Sequence, residues 1–532
     1  MNQGRPKRTI ASRAKDLVCL MASSGLLVLS QPPYDLGFIA TIALVPWLFR
    51  TRLASGIGAF GSGLGFGIVY AILAASWIFD ALAAQGAHGF RQGLAALLIA
   101  VWSKGLLFAI AGWVVQRLQS QSPAIALLVP SVLFGLGEFW ISQSPWGLPL
   151  LLLGHSQISV PGVAQLAASI GVPGISALLF GLNLALVSAI IAEQGGRRYA
   201  FMIGSMWLAA MVAGLPLARV LIPESRGEVR RILVIQPEFT HHDRWELAAQ
   251  EALLEEVAAE TSRAIAASPE PPDAILWPES LLTNPIEAGD RLGRRLQDHI
   301  DEWGVPVVLG LVRRERGTRS DRYINSVVWW SPVVGPVDVQ DKVRALPVVE
   351  SSRRFWGQGI LDWAIASAAD QPRVAEAIQA ERLKGEFTLS PALCFEILFP
   401  RVVSDRRDEE SVAIVNLADD SWVSGEVLDK QLIAAAAFRA IEQRLTMIRV
   451  SHGGLSVAID RFGRDIATLP PDEMGHMVIE VAAGPRPSSV ERLASLIPVV
   501  SVGVAVAVMI QWAAGRSGGQ GGVWFSHDES RD

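Results

Sequence analysis

A cysteine, a glutamate and a lysine each follow a strand-like apolar segment of this chain, at Cys394, Glu279 and Lys342. A thiolate attacks carbonyl carbons, a carboxylate takes the thiol proton, and an ammonium stabilises the negative charge that develops. Taken singly, Glu279 and Lys342 are typical of surface or ion-paired residues. Together, the three form a workable set for acyl transfer through a thioester, in which the Phe395 main-chain N–H is a second candidate oxyanion donor.

Cys394 is one of two cysteines in the 532-residue chain. The segment Phe387–Leu393 runs into a predicted helix at this residue, a position that thrusts out the side chain and favours the thiolate. A lone cysteine is also typical of a small buried hydrophobic residue, so the residue type alone leaves both alternatives open. We expect no disulfide to the distant Cys19, which lies in an apolar run.

Residues 229–485 have the pattern of a layered α/β domain, because strand-like segments alternate with amphipathic helical ones. The predicted strands are 231–236, 274–277, 305–311, 326–330, 337–341, 387–393, 412–416, 447–450, 455–459 and 477–481. The predicted helices are 244–268, 289–302 and 428–442, with a short one after Cys394. Strand ends of an open α/β sheet converge on one crevice, so we expect Glu279, Lys342 and Cys394 to meet there.

Residues 1–222 have the composition of a membrane domain, and 51% of the whole chain is hydrophobic. Seven apolar segments are predicted to be helices: 17–30, 36–49, 56–79, 94–115, 124–136, 172–192 and 199–221. A last apolar run, 493–514, precedes a Gly/Ser-rich tail at 515–532. The predicted fold class is therefore an integral membrane α-helical bundle of about eight spans joined to an α/β domain.

Loop charges predict the orientation of this bundle, because cytoplasmic loops carry an excess of Lys and Arg. Basic residues fall on alternate loops: the N-terminal cluster, Arg50 with Arg52, Arg117, and Arg197 with Arg198. We therefore expect a multi-pass protein of the bacterial inner membrane with a cytoplasmic N-terminus and tail. The polar domain is then expected in the periplasm.

The stretch between Glu138 and Gly171 contains no Lys or Arg and is expected on the same side as the polar domain. It is either an apolar floor beneath that domain or a re-entrant packing element. The net charge of −5 is spread along the chain and gives no case for nucleic-acid binding. We expect a monomer without a cofactor or a metal.

The motifs around these residues resemble the apolipoprotein N-acyltransferase family, within the nitrilase (carbon–nitrogen hydrolase) superfamily. The resemblance covers nearly the whole chain. In the membrane part it depends on Pro32-Pro33-Tyr34-Asp35, the glycine-rich segment 61–67 and Pro145-Trp146-Gly147. In the polar part it depends on Gln236 with Trp245, Trp277-Pro278-Glu279-Ser280, Tyr323-Ile324-Asn325-Ser326, Asp341-Lys342, Leu346-Pro347 with Glu350, Cys394-Phe395-Glu396, Phe438–Glu442 and Asp460–Arg464.

This resemblance implies an αββα sandwich for the polar domain and a catalytic triad of Glu279, Lys342 and Cys394. It implies further site residues, which are Trp245, Glu350, Phe395 and Glu396. It also implies the substrates. An acyl chain would pass from a membrane phospholipid to the cysteine, and then to the α-amine of a diacylglyceryl-cysteine lipoprotein.

Four departures from the family pattern cluster around the predicted substrate mouth and leave the triad intact. Phe395 replaces the Tyr that usually follows the cysteine, and Val343–Glu350 replaces the usual run His-His-Leu-Val-Pro-Phe-Gly-Glu. Asp419–Trp422 replaces the Asn-Asp-x-Trp segment, and His452 replaces an expected Asn. Such changes also fit a divergent relative acting in conjugal plasmid transfer (TraB type), or an amide or ester hydrolase with another substrate. The intact triad argues against a third alternative, a non-enzymatic membrane scaffold.

Overall fold

The computed structural model describes residues 10–79, 86–144, 147–191, 196–222, 227–238, 246–283, 285–286, 289–315, 322–344, 382–421, 425–471 and 473–484. The predicted final span 493–514, the tail 515–532, and the predicted site residues Trp245 and Glu350 lie outside the described residues.

The amino-terminal part is a bundle of apolar helices. Its helices are Ile10–Ser30, Val45–Arg52, Gly56–Ala74, Gly86–Leu118, Pro123–Gln143, Pro161–Ala164, Ala167–Ile190 and Gly196–Leu221, with 3-10 turns at Gly37–Thr41 and Leu153–Ser159. Within the described residues, five helices are long and apolar enough to cross a membrane: Gly56–Ala74, Leu97–Leu118, Pro123–Gln143, Ala167–Ile190 and Gly196–Leu221. This confirms the predicted membrane bundle, and the count agrees roughly with the expected number of spans.

The second predicted membrane helix, 36–49, is wrong as a single element, because a 3-10 turn and a short helix take its place. Pro46 has no N–H to continue helical hydrogen bonding, and its ring would clash with the preceding turn. The side chain of Asn183 satisfies backbone groups at this break. It accepts from Leu44 N at 2.9 Å and donates to Ala40 O at 2.8 Å.

The segment 147–160 packs between the membrane bundle and the polar domain. Lys104 Nζ, from a membrane helix, donates to Leu151 O at 3.0 Å. On the opposite side, the ring of His155 lies 5.7 Å from the ring of Phe438 in the polar domain. The segment therefore contacts both parts of the protein.

The polar domain contains two six-stranded sheets. The strands are β1 Arg230–Gln236, β2 Ala274–Leu276, β3 Val307–Glu315, β4 Arg322–Ser331, β5 Gly335–Asp341, β6 Leu383–Lys384, β7 Thr388–Leu393, β8 Ser411–Asp419, β9 Thr446–His452, β10 Ser456–Ile459, β11 Asp465–Leu469 and β12 Gly475–Val481. The first sheet has the order β12-β1-β2-β3-β4-β5 and the second the order β11-β10-β9-β8-β7-β6.

Helices cover the outer face of each sheet. They are Leu247–Ala267 and Arg291–Trp303 on the first sheet, and Pro400–Arg406 and Glu426–Gln443 on the second. One hydrophobic core lies between the sheets, formed by residues such as Val234 and Leu276 of one and Val415 and Ile448 of the other. The predicted αββα sandwich is therefore confirmed. The sequence did not predict β6, β11 or the helix Pro400–Arg406.

The helix Glu426–Gln443 joins the sandwich to the membrane bundle. Gln431 Nε2 donates to Ala74 O at 2.8 Å, near the end of a membrane helix. Just beyond the same helix, Arg444 Nη1 donates to Gln165 Oε1 at 2.6 Å. The face of the sandwich that carries the second sheet's helices is thus the face that docks on the membrane part.

Candidate active site

Glu279 and Lys342 form a buried ion pair at the edge of the first sheet. Lys342 Nζ lies 3.1 Å from Glu279 Oε1, and the two side chains are 1% and 5% exposed. Glu279 follows β2 and Lys342 follows β5, so both leave the sheet at strand ends, as the sequence predicted. A carboxylate and an ammonium taken out of water are stable only when they satisfy each other closely, and this pair does.

Asn325 completes this part of the site. Its Nδ2 donates to Glu279 Oε1 at 3.1 Å, and its carbonyl oxygen accepts from Lys342 N at 2.8 Å. One residue of β4 therefore fixes both members of the pair. The sequence reasoning did not place Asn325 in the site, although a polar residue beside an apolar strand segment was a usable signal.

The backbone that carries Glu279 passes very close to β3. A Cβ placed on Gly310 would lie 2.7 Å from Glu279 Cα. The next residue, Ser280, has a φ of 52°, and its N–H donates to Gly310 O at 3.1 Å. Only glycine at position 310 leaves room for this approach.

Cys394 lies at a sharp turn between β7 and the 3-10 turn Cys394–Leu398. Its φ of 46° is in the left-handed region, which non-glycine residues rarely adopt. Such backbone strain concentrates at functional sites, where surrounding contacts hold it. Here Asn416 Nδ2 donates to the carbonyl oxygens of Ala392 at 2.9 Å and of Cys394 at 3.1 Å. Cys394 therefore lies at the end of a strand and the start of a helical turn, as the sequence predicted, and the residue is 6% exposed.

Glu396 ties the lysine segment to the cysteine turn. Its Oε1 accepts from the main-chain N–H of Val343 at 2.7 Å and of Arg344 at 3.1 Å, directly after Lys342. Its Oε2 accepts from Leu393 N at 2.9 Å, directly before Cys394. A single carboxylate therefore fixes the position of the Lys342 segment, from the first sheet, relative to the Cys394 turn, from the second sheet.

Arg406 neutralises that carboxylate. Its Nη1 donates to Glu396 Oε2 at 2.6 Å and to Pro391 O at 2.9 Å, and its Nη2 donates to Asp341 O at 2.9 Å. The guanidinium thereby bonds the backbone of both β5 and β7. Nothing in the local sequence distinguishes Arg406 from Arg401 or Arg407, so sequence reasoning did not find it.

A second buried arginine of the site, Arg449, interacts electrostatically with Cys394. Arg449, from β9, donates to Asn416 Oδ1 and to Asp420 Oδ2. Burial alone would lower the pKa of Arg449, but the carboxylates of Asp420 and Asp429 and the thiolate of Cys394 hold that pKa above arginine's usual value. A charged residue within an otherwise apolar strand, Thr446–His452, was a sequence signal that Arg449 is buried with charged partners.

The structure thus brings Glu279, Lys342, Cys394 and Glu396 to the facing edges of the two sheets. Phe395 is 2% exposed and packs in the same apolar core as Cys394. Another departure from the family pattern, His452, is buried at the end of β9, where its carbonyl oxygen accepts from Asp420 N at 2.9 Å. A carboxylate, an ammonium and a thiol are groups that acyl transfer through a thioester can use.

Comparisons with known proteins find matches for both parts of the chain. Residues 23–185 match the family model for the apolipoprotein N-acyltransferase N-terminal domain, and residues 234–484 match that for carbon–nitrogen hydrolase. An apolipoprotein N-acyltransferase of Brucella melitensis is 27% identical over 85% of this chain and 87% of its own length. One of Pseudomonas syringae pv. tomato is 25% identical over 87% of this chain and 90% of its own. A crystal structure of a CN-hydrolase superfamily protein from Xanthomonas campestris covers 51% of this chain and 96% of its own, with 13% identity and a TM-score of 0.36.

Proposed function

This chain belongs to the apolipoprotein N-acyltransferase family of the nitrilase superfamily, and we propose that Cys394 carries the acyl chain in the reaction. The enzyme takes an acyl chain from a membrane phospholipid and transfers it to the α-amino group of a diacylglyceryl-cysteine lipoprotein. The buried Glu279–Lys342 pair at 3.1 Å is the observation that carries the proposal, because it supplies a base and a cation in one water-poor place.

In the first half-reaction, Glu279 takes the proton of the Cys394 thiol, and the thiolate sulfur bonds to the ester carbonyl carbon. The ammonium of Lys342 and the main-chain N–H of Phe395 stabilise the tetrahedral oxyanion. The carbon–oxygen bond to glycerol then breaks, and the leaving alkoxide takes the proton from Glu279. A lysophospholipid departs and the acyl chain remains as a thioester.

In the second half-reaction, the neutral amine of the lipoprotein attacks the thioester carbonyl carbon. Glu279 accepts the proton that the amine nitrogen loses, and the same donors stabilise the oxyanion. The carbon–sulfur bond breaks, an amide forms, and the thiolate recovers its proton from Glu279. Both substrates are lipids, so the docking of the sandwich on the membrane bundle supports an apolar entrance to the thiol.

The proposal places the enzyme in the bacterial inner membrane as a multi-pass monomer, with residues 229–485 in the periplasm. Residues 1–222 and the run 493–514 form the membrane part, and the tail 515–532 is cytoplasmic. Trp245, Glu350, Phe395 and Glu396 then line or support the site. Loop charges support the orientation, and the hydrogen bonds of Glu396 support its role.

The test uses purified full-length protein with phospholipid labelled in the acyl chain. We expect a labelled thioester on Cys394 that hydroxylamine releases, and none in Cys394→Ala. Addition of a diacylglyceryl-cysteine peptide should discharge the thioester to an amide. A wild-type protein that forms no thioester would refute the donor step.

Rescue of a bacterial strain that lacks its own lipoprotein N-acyltransferase tests the acceptor. We expect growth with the wild-type chain and none with Cys394→Ala at equal abundance. Failure of the wild-type chain, despite stable expression and thioester formation, would assign the enzyme another acceptor. That result is the one expected of a conjugal-transfer relative.

A further inference from the structure

Arg344 lies where the candidate site meets the membrane helices. It is the second residue after Lys342, and its main-chain N–H donates to the Glu396 carboxylate at 3.1 Å. Its guanidinium contacts the membrane part, since Nη2 donates to Gln143 O at 3.2 Å. Gln143 ends one of the helices that are long and apolar enough to cross a membrane. Arg344 therefore spans the distance between the site and the edge of the apolar layer.

The guanidinium of Arg344 carries a charge that the described part of the protein does not neutralise. It is half-buried and lies 5.4 Å from the ring centroid of Phe399. Among the described residues, no carboxylate lies within ion-pair distance of it, whereas Arg406 and Arg449 each have one. A guanidinium has five N–H donors, and the described contact with Gln143 uses one of its nitrogens.

We propose that Arg344 binds the phosphate group of the phospholipid acyl donor, an inference that depends on the proposed function. Guanidinium groups recognise phosphate oxygens through paired, charge-assisted hydrogen bonds. Phospholipid phosphates lie at the border of the apolar layer, where the helix Pro123–Gln143 ends. The two residue steps from Lys342 to Arg344 span at most about 7 Å of backbone, which is on the scale of a glycerol unit between ester carbonyl and phosphorus.

This contact would decide which ester of the donor meets the thiol. A phosphate held at Arg344 fixes one end of the glycerol and leaves the ester carbonyl beside Lys342 and Cys394. Esters without a phosphate would reach the same thiol without that constraint. Arg344 is thus a specificity-determining residue for the donor, and the triad carries the chemistry for either kind of ester.

The experiment measures acylation of Cys394 by two donors in the purified full-length protein. One donor is phosphatidylglycerol in detergent micelles, and the other is p-nitrophenyl palmitate, which has no phosphate. We expect Arg344→Gln to lower kcat/KM for phosphatidylglycerol by about tenfold or more, mainly through KM. The value for p-nitrophenyl palmitate should change by less than about twofold. Arg344→Lys, which keeps the charge, should lie between wild type and Arg344→Gln.

Arg401→Gln is the matched control, because Arg401 is exposed and paired with Asp405 at 3.4 Å on the same domain. It should behave as wild type with both donors. Equal losses with both donors in Arg344→Gln would overturn the inference and make Arg344 a support for the Lys342 segment. No loss with either donor would also overturn it. A wild-type protein acylated by p-nitrophenyl palmitate and by no phospholipid would instead refute the proposed function itself.

Discussion

Glu396 and Arg406 form an ion pair at 2.6 Å whose two side chains are fully enclosed in the sandwich. The pair does not touch the ammonium or the thiol in any described contact. It bonds the backbone directly before and after Lys342, at Asp341 and Val343, and directly before Cys394, at Leu393. The relative position of the two sheets' strand ends is therefore fixed by one carboxylate and one guanidinium.

Removal of Arg406 alone should destabilise the protein strongly. Arg406→Met leaves Glu396 buried without its counter-charge, which costs about 3–5 kcal/mol of folding free energy. We expect a much lower midpoint of thermal unfolding in detergent and slower alkylation of Cys394 by iodoacetamide.

The double variant Glu396→Leu with Arg406→Met separates folding from positioning. It removes both charges, so much of the stability should return, while the N–H groups of Val343 and Leu393 lose their acceptor. We expect thioester formation to stay low in the double variant. Acylation at the wild-type rate would show that the carboxylate does not position the site.

The Glu279–Lys342 pair should behave as one functional unit. Lys342→Met and Glu279→Gln should each slow thioester formation by about 100- to 1000-fold, through loss of the oxyanion's cation or of the base. Because they act in the same step, the double variant should be hardly slower than either single one. Burst kinetics with labelled phospholipid give these rates. Multiplicative losses would mean that the two residues act independently.

Gly310 offers a purely steric test of the same pair. The Cβ of Gly310→Ala would lie 2.7 Å from Glu279 Cα, so the glutamate backbone must shift away from Lys342. A displacement near 1 Å lowers rates by about 100-fold. Gly289→Ala is the control, because its Cβ would meet nothing within 4 Å. Equal acylation rates in the two variants would show that Glu279 does not need its present position.

The strands and membrane helices could be predicted from the sequence, because each depends on the residue types within its own segment. β-branched runs gave the strands that end at Glu279, Lys342 and Cys394, and apolar length gave the membrane helices. The break at Pro46 was missed because the polar groups it frees are satisfied by Asn183, far away in the chain. Long-range pairing of this kind has no local signature.

The two buried arginines of the site, Arg406 and Arg449, differ in how far the neighbouring sequence predicts their burial. Arg406 is buried only because β5 and β7 meet around it, and that meeting depends on how two separate sheets stack. Arg449 differs, since a charged residue within the apolar run Met447–Val450 breaks the strand pattern. Such an interruption is a usable sign of a buried polar network.

His155 should make the stability of the protein depend on pH. Burial, and then the positive charges of Arg439 and Lys104, hold the pKa of His155 well below its usual value. The unfolded chain's histidine takes a proton near pH 6.5, and the folded one does not. Stability should therefore fall as pH drops below about 6.5, by at most about 1.4 kcal/mol per pH unit.

Thermal unfolding in detergent between about pH 5.5 and about pH 7.5 measures this effect. His155→Gln should show a shallower decline towards acid pH than the wild type. His299→Gln is the control, because His299 pairs with Glu255 on the surface of the sandwich. Parallel curves for wild type and His155→Gln would contradict the assignment.

Arg449 should set the pH at which Cys394 becomes nucleophilic. The thiolate of Cys394 helps to raise the pKa of Arg449, and by reciprocity the guanidinium favours the thiolate. Arg449→Gln should therefore move the midpoint of iodoacetamide alkylation of Cys394 to higher pH. Arg449→Lys retains the charge and should keep the midpoint near that of the wild type. If alkylation slows equally at every pH in Arg449→Gln, the residue acts by holding Asn416 and the strained Cys394 backbone, and its charge does not tune the thiol.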